Sequence, residues 1–339
     1  MAATESSRWQ RIATKLGEVI PQSRLHPAVV DAAQAVKRRR WVVAVSGGCD
    51  SVALVLLIWA HWPERRSRMV VAHFNHRLRG RSAATDARFC RSLATGLGVE
   101  YEAATWAKPV KFPSEAETRE VRNGFLEGVR KRYRAQVVWT GHQKDDVAET
   151  MLMRLARGSG SAGLAAPRPI QDWGRGHARW RPLLTLSREE LVEGLTAAGG
   201  RWREDASNQE RTYFRNRVRQ TVISAWMAAA ERDAVSGAAL TRELLEEDDR
   251  ALEEWVDELE VLNEDGSLNL LALRGKAQAL WRRGLRRWLV LQAEGSDLSR
   301  QGFEVLLEQA REGRTSRFSL GKNGFARIRR GRLYFEKLS

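Results

Sequence analysis

Three clusters in the sequence carry side chains whose types and spacing suit phosphate chemistry. The first is Ser46-Gly47-Gly48-Cys49-Asp50-Ser51, which follows the apolar run Trp41 to Val45 and leads into a helical pattern starting near Asp50 or Ser51. Two glycines let an anion approach the backbone, and the free N–H groups at the helix start hold it without a lysine. The pattern GxxxxGK(S/T) is absent, which disfavours an ordinary kinase or GTPase. The second cluster is Gly141 to Thr150, GHQKDDVAET, in which His142 and Asp146 stand four apart and share a helix face. A histidine beside carboxylates stays protonated near neutral pH and meets phosphate charge, while an aspartate holds magnesium or an incoming ammonium. Helix capping alone explains one of Asp145 and Asp146. The third cluster is Asp205-Ala206-Ser207-Asn208 followed by Tyr213 to Arg219, with Arg215 and Arg219 on one face as a fork for phosphate.

These residues need elements to position them, and the first half of the chain alternates strand-like and helix-like segments. Strands are expected at Trp41–Val45, Met69–Phe74, Glu100–Trp106 and Gln136–Thr140. Helices are expected at Ala83–Leu97, from Ser114 to about Tyr133, and at Lys144–Arg157. The order βαβαβαβ implies a doubly wound parallel sheet with ligands at the carboxyl ends of its strands. His73 to Gly80, HFNHRLRG, falls on that edge. No carboxylate or cysteine there completes a zinc set, so packing and nucleotide or RNA contact are the better readings, while Arg77, Arg79 and Arg81 also suit a solvated basic loop. Gly158 to Trp180, rich in Gly, Pro and Arg, reads as a loop. Beyond a capped helix at Ser187 and one from Tyr213 through Ala230, the rest reads as mostly helical. Arg330-Gly331-Arg332 turns a small β hairpin near the end.

SGGCDS, HFNHRLRG, GHQKDDVAETMLMRLARGSGSAGLAA, RPLL and DASNQERTYFRNRVR resemble, in this order, the motifs of the tRNA(Ile)-lysidine synthetase family, a branch of the pyrophosphate-loop ATPases. The likeness covers about residues 41 to 225. It implies an adenine nucleotide hydrolase-like sheet and ATP-dependent ligation of lysine to C2 of the wobble cytidine, C34, of the isoleucine tRNA bearing a CAU anticodon. An adenylated tRNA is the intermediate, and AMP and pyrophosphate are released. ATP and Mg2+ are the implied cofactors, with tRNA(Ile) and free L-lysine as substrates. Ser46, Gly47, Gly48, Cys49, Asp50 and Ser51 would form the nucleotide loop, with Cys49 at its variable position read as packing. Asp50 would hold magnesium or orient the loop. His142 and Arg215 would stabilise charge at the α phosphate or contact the nucleotide, and Asp146 or Glu149 would attract the lysine ammonium. Asn216 and Arg219 complete the implied substrate contacts. Gln143 and Lys144 depart from the family pattern, which often has a second histidine and an alanine or leucine there.

Composition agrees with an RNA partner. Of 339 residues, 57 are Lys or Arg and 42 Asp or Glu, a net charge of +15. Residues 231–270 hold 3 basic against 14 acidic residues, and 271–339 hold 16 against 6, so an acidic block parts two basic ones. That block reads either as a spacer between RNA-facing surfaces or as a solvated helix. No membrane span or secretory signal is expected, and two cysteines suit a reducing compartment, so the expected location is the cytoplasm. A homodimer is compatible with the sequence. The expected domains are 1–212, catalytic, and 213–339, a helical linker and tRNA-binding region. The weighed alternatives are a tRNA 2-thiolase, disfavoured because no CxxC occurs, a small-molecule amidating synthetase, which would not need the basic tail, and a non-catalytic RNA-binding protein, which leaves the loop unexplained.

Overall fold

The structure is a computed structural model that describes residues 2–36, 39–77, 81–107, 113–174, 176–204, 213–292 and 298–337. Asp205 to Asn208, with Leu78 to Gly80, fall outside the described residues. Two compact units are present, Met1–Leu244 and Leu245–Ser339.

The first unit opens with α1 (Ala2–Val19) and α2 (Pro27–Ala35), for which the sequence offers no motif. Trp9, Ile12, Ala13 and Leu16 recur at helical spacing and are buried, so α1 packs its apolar stripe on the core. There follow β1 (Trp41–Ala44), α3 (Cys49–His61), β2 (Met69–Asn75), α4 (Arg81–Leu97), β3 (Glu100–Thr105), α5 (Glu115–Arg132), β4 (Val137–Trp139), α6 (Lys144–Leu155), α7 (Ser161–Leu164), β5 (Ile170–Asp172), β6 (Ala178–Trp180) and α8 (Arg188–Ala197). The sheet runs β3-β2-β1-β4-β6-β5, and only the edge pair β5 and β6 is antiparallel. The expected parallel strands all form. Trp41, Val42 and Val43 are fully buried, as a central strand covered on both faces must be. α3 is buried from Val52 to Trp59 because helices lie on its outer side too.

The expected loop at 158–180 is a correction. It carries α7 and the hairpin that extends the sheet by β5 and β6. Three-residue strands are too short for an alternating pattern to appear against Gly, Pro and Arg. Trp180 anchors the hairpin: its ring lies 5.0 Å from Trp139 and 6.4 Å from Trp41, with Trp62 5.5 Å from Trp139. Aromatic pairs in such tilted and edge contacts contribute about 0.5–1.5 kcal/mol each beyond area burial.

Next come α9 (Phe214–Arg217), a π turn at Val218–Ile223 and α10 (Ser224–Ala230), together filling the span expected as one helix from Tyr213. α11 (Ala234–Glu258) crosses the boundary between the units. Residues 213–244, which sequence reading places with the C-terminal region, pack with the first unit: Val235 and Ala238 meet Ala148 and Met151, and Lys144 Nζ lies 3.1 Å from Ser236 Oγ.

The second unit holds the rest of α11, β7 (Leu268–Asn269), α12 (Gln278–Gln292), α13 (Arg300–Glu312), β8 (Ser316–Ser319), β9 (Phe325–Arg329) and β10 (Arg332–Glu336). Its antiparallel sheet, ordered β7-β10-β9-β8, turns Ala326, Ile328 and Leu333 against Trp281, Leu285, Trp288 and Leu307. Arg330 and Gly331, at φ 51 and 72, make the expected tight hairpin. The acidic part of α11 is tied to α12: Arg283 reaches Asp249 and Glu253, and Arg287 reaches Glu253 and Asp257. Among the described residues no helix is long and apolar enough to cross a membrane.

Candidate active site

The loop after β1 forms a small ring of backbone and hydroxyl groups. Ser46 N donates to Ser51 Oγ at 3.1 Å, Gly48 N to Ser46 Oγ at 3.3 Å, and Ser51 Oγ to the Gly48 carbonyl at 2.9 Å. Gly47 has φ +96, a conformation that favours glycine, and Gly48 caps α3 with no side-chain hydrogen bond, leaving the helix start open to an anion. Cys49 is buried, and burial together with Asp50 pushes its thiol up to about 12, which fits a packing role.

Asp50 lies at this helix start with Oδ1 buried and without a hydrogen-bond partner; Arg188 is 3.8 Å from Oδ2. Burial first, and then the nearby Asp146, push its carboxyl up to about 6. An orphaned carboxylate oxygen beside a phosphate cradle fits a magnesium ion, which binds through one or two carboxylates plus phosphate oxygens. No group of three or more His, Cys, Asp or Glu able to hold a metal occurs among the described residues, so phosphate and water would complete such a shell.

The second cluster sits against the first. Gly141 approaches α3 so closely that a Cβ there would stand 2.9 Å from the Asp50 carbonyl oxygen. Gln143 caps α6: its Oε1 accepts from Asp145 N, while Asp146 Oδ2 accepts from Gln143 N at 3.0 Å. Asp145 turns away to accept from Arg188 N at 2.9 Å.

The third cluster closes on the second. Arg215 donates from Nε to Glu149 Oε2 and from Nη2 to Asp146 Oδ1, both at 2.6 Å, and Arg219 Nε donates to Glu149 Oε1. Glu149 is fully buried. Burial alone would depress Arg215, but Asp146 and Glu149 hold it above its ordinary value. The face read as a phosphate fork is therefore directed at two carboxylates, and Asn216 is half-buried beside it.

His142 departs from expectation. Its Nδ1 lies 3.1 Å from Thr140 Oγ1, and burial, then Arg181, Arg215, Arg122 and Arg119, drive its pKa well below the usual value. It is neutral at physiological pH, so the positive charge comes from the arginines. Arg119 and Arg122 on α5 and Arg179 on β6 carry no motif in the sequence, and Arg181, just after β6, opens the RPLL motif but had no role assigned to it. Arg179 donates to Asn123 Oδ1 at 2.9 Å, tying β6 to α5. Burial and like charge press Arg179 down to about 10 and Arg181 to about 9. His73, on β2, is buried with Nδ1 3.0 Å from the Val45 carbonyl, and His76, just past the strand, packs on Phe74 and Trp106.

The geometry is thus a phosphate loop, a carboxylate with one buried oxygen left without a hydrogen bond, and a cluster of carboxylates and arginines on one sheet edge. Comparison with known proteins agrees. The chain is similar to the tRNA(Ile)-lysidine synthase of Geobacter sulfurreducens, 36% identical over 276 residues, covering 78% of this chain and 57% of that one. The enzyme of the same name from Ruegeria pomeroyi is 41% identical over 187 residues, covering 54% and 44%. The chain spans about half the length of the curated relatives it matches. Among solved structures, the U34-tRNA thiolase NcsA from Methanococcus maripaludis with its [4Fe-4S] cluster shares the fold at TM-score 0.52 and 16% identity, covering 71% of this chain and 80% of that one. The PP-loop domain model matches residues 18–226, well over half the sequence, and with the loop, sheet and edge cluster described above it places this chain in the PP-loop domain family.

Proposed function

We propose that the protein ligates lysine to C2 of the wobble cytidine of CAU-anticodon tRNA(Ile), using ATP and passing through an adenylated tRNA. The observation that carries this is the contact of the phosphate loop with the carboxylate-rich helix α6 through Gly141 and Asp50, which sets an ATP cradle beside groups suited to an amine. The relatives named tRNA(Ile)-lysidine synthase support the same reading.

In the first step the cytidine O2 attacks the α phosphorus, the bond to the bridging oxygen breaks, and pyrophosphate leaves. Ser46, Gly47, Gly48 and Ser51 hold the phosphates, and Asp50 would hold the magnesium ion that neutralises their charge. Arg119, Arg122 and Arg181 supply further positive potential, and His142, being neutral, contributes a hydrogen bond rather than charge. In the second step the lysine ε-amine, having lost a proton, attacks C2 and the C2–oxygen bond breaks, releasing AMP. Asp146, with side-chain exposure of 13%, faces the ammonium of lysine, while Arg215 and Arg219 position Asp146 and Glu149. The thiolase alternative gains nothing from Cys49 and Cys90, which are both buried with thiols pushed up to about 12. ATP labelled at the α phosphate, incubated with this tRNA without lysine, should leave label on the RNA; label found only in free AMP, with the RNA unlabelled, would refute the adenylation step.

A further inference from the structure

The segment after α8 makes a contact that its own structure does not call for. Residues 201–204 belong to no helix or strand, yet Arg203 N donates to the Gly47 carbonyl at 2.8 Å. The Arg203 side chain turns to α4, where its Nε donates to Asp86 Oδ1 at 3.0 Å. Asp86 and Cys90 stand four apart on α4 and so share a face. Both residues serve the same glycine. A Cβ on Gly47 would stand 3.5 Å from Cys90 Sγ and 3.5 Å from Arg203 Cγ, so Gly47 meets the buried thiol and the arginine stem on its side-chain side.

The bond to Arg203 decides which way one peptide of the phosphate loop faces. The carbonyl and N–H of a trans peptide point to opposite sides. With the Gly47 carbonyl tied to Arg203, the Gly48 N–H is directed to the ring of the loop, 3.3 Å from Ser46 Oγ. Glycines on both sides of this peptide oppose its rotation least. Turned over, it would present a carbonyl oxygen to the phosphates and withdraw an N–H that holds them. Ser46 restrains one end of the peptide from within the loop, and Arg203 restrains the other from outside it.

We propose that Arg203 and Asp86 are positioning residues for ATP. Their ion pair fixes the Arg203 N–H on the Gly47 carbonyl and so keeps the Gly48 N–H aimed at the phosphates; both residues act through the loop rather than on the nucleotide. The role assumes that this loop is the ATP cradle, as in the function proposed above, and does not depend on lysine transfer. Loss of the pair lowers the fraction of loops in the competent orientation, and apparent affinity falls in proportion to that fraction. A partly exposed ion pair shifts such an equilibrium by a factor of about two to five.

The test uses the full chain and ATP with a methylene in place of the oxygen between the α and β phosphorus atoms, so that binding is read without turnover. Calorimetry with magnesium present should find affinity for this analogue weakened about threefold to fivefold by Arg203→Ala and by Asp86→Ala alike. The double variant should be no weaker than either single variant, because the same pair is lost in all three. Arg203→Lys keeps the charge and should stay within about twofold of the wild type. Binding of magnesium pyrophosphate should weaken by the same factor as the analogue, while binding of the CAU-anticodon isoleucine tRNA should not change. Wild-type affinity for the analogue in a folded Arg203→Ala protein would overturn the proposal. So would strictly additive losses in the double variant, or equal loss of nucleotide and tRNA binding with an earlier thermal melt, which marks a merely structural pair. A wild type that shows this dependence but transfers no lysine would support the positioning role and refute the proposed activity. A wild type that does not bind the analogue would refute the cradle and the positioning role together.

Discussion

Replacing Glu149 by glutamine keeps its shape and removes its charge at a fully buried position. In the wild type its two oxygens accept from Arg215 and Arg219, and Asp146 also holds Arg215 at 2.6 Å. Removing one partner of a buried pair costs about 3–5 kcal/mol, because the other charge remains buried. Asp146 stays on Arg215, so the loss falls mainly on Arg219, whose remaining carboxylate contact is 3.9 Å from Asp146. The expected cost is therefore near the lower limit, about 3 kcal/mol. With every 1.4 kcal/mol worth a factor of ten, amide protection in α6 and in 214–230 should fall on the order of 100-fold. Hydrogen exchange read by mass spectrometry suits this better than a bulk melt, because two compact units can unfold separately. Combining Glu149→Gln with Arg219→Gln should recover part of the loss, a coupling of about 1–3 kcal/mol. A cost below about 0.5 kcal/mol, or strictly additive effects in the cycle, would show that the network is not an interdependent unit.

Other outcomes follow from the same geometry. Asp50→Ala should abolish pyrophosphate release while leaving tRNA affinity nearly unchanged; lost affinity with normal ATP turnover would contradict its placement at the phosphates. Gly141→Ala drives a Cβ to 2.9 Å from the Asp50 carbonyl oxygen, so pyrophosphate release should fall at least tenfold in a protein that still folds, and full activity would refute the contact. His26, the N-cap of α2, is pushed down to about 4 by burial and then by Arg242. The unfolded chain binds its proton at higher pH, so its contribution to stability is complete above about pH 6.5 and is lost as pH falls toward 4, on the order of 3 kcal/mol. His26→Gln should reduce the slope of stability against pH in that window by one proton, and equal slopes in urea titrations would refute it.

The parallel core and the loop were legible because a fully apolar strand running into Ser-Gly-Gly and then a helix admits few alternatives. α5 and α8 were legible from their capping boxes, both of which form. What sequence hid was pairing across the chain. His142 next to Asp146 reads as a protonated pair, but burial, and then four arginines from distant elements, disfavour its charge. Arg215 and Arg219 read as a phosphate fork until Glu149, 66 residues away from Arg215, is seen between them. The β5 and β6 hairpin was masked by its glycines, and the boundary at Leu244 by the single continuous helix α11, which has no break to read.

The most direct test supplies the protein with ATP, magnesium and labelled lysine, and with either the CAU-anticodon isoleucine tRNA or the methionine tRNAs that share that anticodon. Stable label in the isoleucine tRNA alone, with one AMP and one pyrophosphate released per lysine, is the expected result. ATP cleavage with no lysine on any tRNA, or sulfur transfer in its place, would contradict the account.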